Sequence, residues 1–185
     1  MQRRAHEFPW PDRVVIGTVG RPGARTFYLQ VRDGTQVMSA ALEKEQAALL
    51  AEKVDEILDR LLAQEDTPYT IPARTAAELV DDDPLDTVEE QFRTGTLTLG
   101  WDPSTAQIVL EAESLLVDDP SAEGADAELD QGSEELERLV VRMPVGTARA
   151  FAERAHRIVA AGRPLCPLCG WPMDPEGHTC VLPEE

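Results

Sequence analysis

Residues 42–58 (LEKEQAALLAEKVDEIL) can be laid over residues 143–159 (MPVGTARAFAERAHRIV), and no other feature limits the possible folds of this chain so strongly. Ala47 faces Ala148, an offset of 101 residues, and at that offset Leu50 meets Phe151, Ala51 meets Ala152, Lys53 meets Arg154 and Ile57 meets Ile158. In the first stretch Leu50, Val54, Ile57, Leu58 and Leu61 recur at three- and four-residue steps. That spacing predicts a helix over 43–64 with one apolar stripe, and a second helix over 144–162 that opens on Pro144 and closes at Gly162 as its C-cap.

Each helix follows strand-like runs. RVVIGTV (13–19), RTFYLQV (25–31) and TQVMSAAL (35–42) precede the first, with Asp33-Gly34 as a tight hairpin turn. EQFRTGTLTLGW, AQIVLEAESLLV and LERLVVRM precede the second, and upstream IGTV matches TGTL. The expected fold is α+β: two pseudo-repeated βββα units, about 13–64 and 89–162, with antiparallel sheet and packed helices. They form one body over 1–162, and residues 163–185 form a small separate module. Residues 65–88, rich in Pro and Asp, read as a long connection.

The formal net charge of −18 is unevenly spread. Residues 1–64 carry nine basic and nine acidic side chains, and 138–185 carry six and five. The middle, 65–137, sets Arg74 and Arg93 against 21 Asp and Glu. Such a field repels a phosphate backbone, which argues against nucleic acid as a partner. Within it, 118–135 has eight acidic residues and no basic or aromatic one, and its composition predicts a mobile loop. No apolar run approaches the roughly 20 residues of a membrane span. The N-terminus has no apolar signal-peptide core, so a cytoplasmic setting is expected.

All three cysteines fall in CPLCGWPMDPEGHTC, 166–180. Cys166 and Cys169, two residues apart, can face one ion, and Gly170 lets backbone amides approach the sulfurs. His178 and Cys180 add a nitrogen and a third thiolate. The set Cys166, Cys169, His178 and Cys180 completes a closed tetrahedron suited to Zn2+ and leaves no position for a catalytic water. A reduced thiol cluster and a redox C-x-x-C are the alternatives, although Pro167 and Gly170 favour a metal knuckle.

The segments GTVGRPGARTFYLQ, LEKEQ, FRTGTLTLGWD and AAGRPLCPLCGWPMDPEGH resemble the actinobacterial domain-of-unknown-function family 3090. The resemblance implies a cytoplasmic actinobacterial protein and brings no assigned activity and no catalytic residues.

GTVGRPGAR (17–25) offers Arg21 and Arg25 as candidates for holding an anion, although its spacing matches no phosphate-binding loop and an ordinary hairpin turn explains it. No Ser–His–Asp, paired-carboxylate or H-E-x-x-H arrangement is present, so no catalytic residue is assigned. Two function classes follow. One is a non-catalytic, zinc-containing binding or adaptor protein that presents surfaces to another protein, for instance an apolar patch around Trp171 and Met173. The other is an enzyme or small-anion binder that uses the Gly/Arg turn and a pocket lined by Arg21, Arg25 and Arg93.

Overall fold

The computed structural model describes residues 3–115, 136–162, 166–169, 173, 178 and 180. The acidic segment 118–135 lies outside them, as does most of 163–185. Seven strands and two helices follow one another as β1 (Arg3–Phe8), β2 (Arg13–Arg21), β3 (Ala24–Asp33), β4 (Gln36–Leu42), α1 (Lys44–Leu62), β5 (Glu90–Asp102), β6 (Gln107–Ser114), β7 (Leu136–Pro144) and α2 (Val145–Ala160). The protein is α+β, with one mostly antiparallel sheet in the order β1-β7-β6-β5-β4-β3-β2.

The expected hairpins form. β2 pairs with β3 and β3 with β4, the latter around Gly34 at φ 57°. β5, β6 and β7 are likewise antiparallel neighbours. Two features depart from a purely antiparallel sheet. β4 and β5 run parallel, joined at Ala40↔Phe92 and Ala41↔Arg93. A parallel pair needs a long crossover, and α1 with the connection after it supplies one. The second departure is β1, absent from the sequence reading, which pairs in parallel with β7 from Arg3↔Leu136 to Phe8↔Val141.

β1 and β2 occupy opposite edges of the sheet, yet only Pro9–Asp12 join them. Five Cα steps reach at most about 18 Å, whereas six interstrand spacings of a flat sheet amount to about 29 Å. The sheet is therefore strongly curled, and α2 packs against β2 at one edge and against β7 near the other. Its concave face and the stripes of both helices share one core, in which Ile16, Leu29, Leu58, Leu110, Leu139 and Phe151 are buried.

The connection 65–89 is strapped to the body rather than solvated. Ile71 is buried, and Tyr69 meets Trp101 edge-on with centroids 5.7 Å apart. Arg149 donates to Pro72 O at 3.1 Å and to Asp55 and Asp59 on α1 at 2.6 and 2.8 Å, which locks the two helices and the strap together. After a 3-10 turn at Ala77–Leu79, the strap crosses the β2 edge. There Arg13 holds Asp81 through two hydrogen bonds, at 2.6 and 2.9 Å, and Arg154 donates to Ile16 O, Asp81 and Asp83 O. The strap then seats Leu85 on Gly17, where any Cβ would stand 2.5 Å from the leucine side chain. Gln30 and Asp86 complete the crossing with reciprocal bonds, Gln30 Nε2 to Asp86 O at 3.2 Å and Asp86 N to Gln30 Oε1 at 2.8 Å.

The hydrogen bonds from Arg13 hold Asp81 below the usual carboxylate range, against an opposing push from burial. The folded state thus binds the Asp81 proton less readily than the unfolded chain does. Its stabilising contribution is complete above about pH 5 and is lost as pH falls through the depressed folded value. Asp81→Asn is expected to flatten the acid limb of a melting-temperature profile below about pH 5. An acid limb as steep as the original would show that Asp81 does not carry this linkage.

Candidate metal centre

The chain enters the cysteine segment from the end of α2. Gly162 does not close the helix as anticipated: it directly follows the C-cap residue Ala161 but is not among the glycines of positive φ, so it makes no left-handed cap. The donors come instead from Arg25, whose Nη1 and Nη2 reach Ala161 O at 3.0 Å and Ile158 O at 3.2 Å while its guanidinium lies 5.0 Å from the centre of the Phe27 ring. A cation over the last helical carbonyls also complements the helix dipole.

Residues 167–169 form a turn, so Cys166 and Cys169 face the same point. Cys166 is buried, whereas Cys169, His178 and Cys180 are half-buried. One donor atom from each of the four residues lies within 4.8 Å of all the others, so the structure brings together every ligand expected from the spacing. The Sγ atoms of Cys166 and Cys180 are 3.8 Å apart, and Cys169 Sγ lies 3.1 Å from His178 Nε2. A tetrahedral zinc site with Zn–S bonds near 2.3 Å has S···S edges of about 3.8 Å. The donor set, three soft thiolates and an imidazole, fits the same ion.

The backbone prepares one ligand. Amides of Cys169 and Leu168 approach the Cys166 sulfur and lower its thiol pKa to about 6. Hydrogen bonding to the anion is the cause, as expected of a knuckle turn. Cys180 is pushed the other way, to about 11, first by desolvation and then by its bonds with the other two thiols. One thiol is ready as thiolate near neutral pH, while another loses its proton to solvent readily only when a cation binds its sulfur.

The remaining sequence candidates are dispersed. Arg21 is exposed at the β2–β3 hairpin, Arg25 is engaged as above, and Arg93 pairs with Glu43 at 2.6 Å. His6 pairs with Glu137 and His156 with Asp55, both on the body. Met173 is half-buried, and Trp171 lies outside the described residues. Two clefts of about 470 and 490 Å3 are present, one between α1 and β5 and one between β2, α2 and strap residues 78–83. Arg21, Arg25 and Arg93 line neither.

Sequence reasoning assigns no role to Arg149, and none to Arg154 beyond its match with Lys53, yet the two are buried at 7% and 5% exposure. A signal was available: Arg154 aligns with Lys53 beside the apolar stripe, where a cation needs a carboxylate from elsewhere in the chain. No helix among the described residues is long and apolar enough to cross a membrane. No curated protein and no solved structure matches the chain. A family model described as Protein of unknown function (DUF3090) matches residues 6–180, which include β2 to β7, both helices and all four candidate metal ligands, and the chain belongs to that family.

Proposed function

We propose that this chain is a non-catalytic, zinc-containing binding protein: an α+β body presents a C-terminal element organised by one structural Zn2+, and the partner is another protein. The observation that carries the reading is the convergence of Cys166, Cys169, His178 and Cys180 within 4.8 Å. Four protein donors saturate a tetrahedral ion, so the metal orders a surface and has no place for a reacting water. The three thiols bind metal only when reduced, and the reading therefore carries a reducing, cytoplasmic setting with it.

The body itself reads as a doubled βββα unit. Its support goes beyond the helix alignment. The two parallel junctions of the sheet set Phe92 against Ala40 and Phe8 against Val141. Ala40 and Val141 stand 101 residues apart, the offset of the helices, and both phenylalanines are buried. β1 and β2 together then correspond to the single long β5, interrupted by Pro9–Asp12.

A capture experiment with the intact chain and a chain lacking 163–185 tests the function, with metal content read by native mass spectrometry. We expect one zinc per intact chain and a partner retained only by that form. Equal capture by both forms, or an intact chain without zinc, would sink the reading.

A further inference from the structure

The aligned helices present matching faces to two different surroundings. Gln46, Leu49, Leu50 and Lys53 on α1 line the α1–β5 cleft, and their counterparts Thr147, Ala150, Phe151 and Arg154 on α2 line the other. On α2 the face is covered. Strap residues Leu79–Asp83 lie along it, with Arg154 donating to Asp81 Oδ1 and Asp83 O at 2.7 Å each. Leu79 Cδ1 comes within 3.0 Å of the Cβ position of Gly146.

On α1 no described residue takes that place. Leu49 remains 54% exposed above a floor that includes Leu97 and Leu99. Lys53 stands where α2 has Arg154, and Arg60 lies beyond it. The two share one carboxylate, Glu56, at 2.5 and 2.8 Å. The rim is thus cationic by one charge in a chain that is otherwise strongly acidic. An apolar trough with a cationic rim, on a helix face whose counterpart already holds aliphatic residues followed by aspartates, defines its ligand by complementarity.

We propose that the α1–β5 groove binds an extended acidic segment of a partner protein, two aliphatic residues followed by aspartates, as Leu79-Val80-Asp81-Asp82-Asp83 is held on α2. The proposal deepens the binding-protein reading and rests on it. The chain's own sequence contains the same order once more, Leu116-Val117-Asp118-Asp119-Pro120, so the test separates the two sources.

The probe is a synthetic peptide with the sequence of residues 78–85, ELVDDDPL, titrated calorimetrically into the full zinc-loaded chain. We expect saturable binding that Lys53→Glu weakens roughly tenfold, with a similar loss for Leu49→Asp. Both sites are solvent-exposed, so these proteins should fold, as circular dichroism would check. Replacing the peptide aspartates by asparagine should weaken binding as well. Binding insensitive to both groove variants would place the peptide elsewhere and overturn the proposal. Binding that appears only after residues 116–120 are replaced by Gly/Ser would assign the groove to the chain's own segment and overturn the partner. No binding in either form overturns it outright. Native mass spectra of the same samples tell a metal-free chain, which sinks the binding-protein reading, from a zinc-loaded chain that ignores the peptide, which sinks only the groove.

Discussion

Arg154→Met is expected to destabilise the protein by about 3–5 kcal/mol in urea denaturation, the range for removing one partner of a buried ion pair. Arg154 is 5% exposed and donates to Ile16 O at 3.0 Å, to Asp81 O at 2.6 Å, to Asp81 Oδ1 at 2.7 Å and to Asp83 O at 2.7 Å. Methionine fills similar volume but leaves three backbone carbonyls and a carboxylate short of a donor, and an unsatisfied buried acceptor costs more than an average hydrogen bond contributes. Burial lowers the arginine's own pKa, and Asp81 opposes this. Guanidinium stays charged in either case, so the loss should persist across neutral pH. Lys53→Met at the aligned position of α1 is the control. Its side chain is 49% exposed and, among the described residues, pairs only with Glu56, so it should shift stability by less than about 1 kcal/mol. Equal effects at the two positions would mean that the strap does not depend on Arg154.

Cys166→Ser should take the metal content from one zinc per chain to none. Three remaining donors leave the tetrahedron open, and the lost sulfur is the one that backbone amides have poised as thiolate. His178→Ala and Cys180→Ser should release the ion too. The body should melt within about 2 °C of the parent, the size of a change that leaves its packing untouched. Among the described residues its core cluster extends from Phe8 to Ala155 and includes none of the four candidate ligands. A zinc retained by Cys166→Ser protein would show that the ligand set is wrong.

The parts legible in the sequence are those whose cause is local. Leu50, Val54, Leu58 and Leu61 announce α1 because a 3.6-residue period is readable within one turn of chain. Asp33-Gly34 announces its hairpin for the same reason, and Cys166, Cys169, His178 and Cys180 sit within fifteen residues. Where the cause is distant, the reading fell short. From Arg4 to Phe8 only Phe8 is buried among exposed or half-buried neighbours, and the partner strand β7 begins at Leu136. The strap looks solvated by composition, yet Asp81 finds Arg13 and Arg154 at sequence separations of 68 and 73. The end of α2 illustrates the same point: Gly162 is the obvious local cap, and Arg25, 136 residues from Ala161, does the capping.

The pairing of β1 with β7 sets an order on the chain's birth. Residues 3–8 leave the ribosome well before their hydrogen-bonding partners, 136–141, which are made more than 130 residues later. At translation speeds of 5–20 residues per second, the first strand waits roughly 7–27 s before it can be placed. β2, β3, β4 and α1 can assemble during that interval, and the curled sheet is completed only as the second half arrives. A strand made ahead of the whole sheet is thus among the last to be placed in it, and a substitution that weakens β1 would burden the finishing step of assembly rather than its beginning.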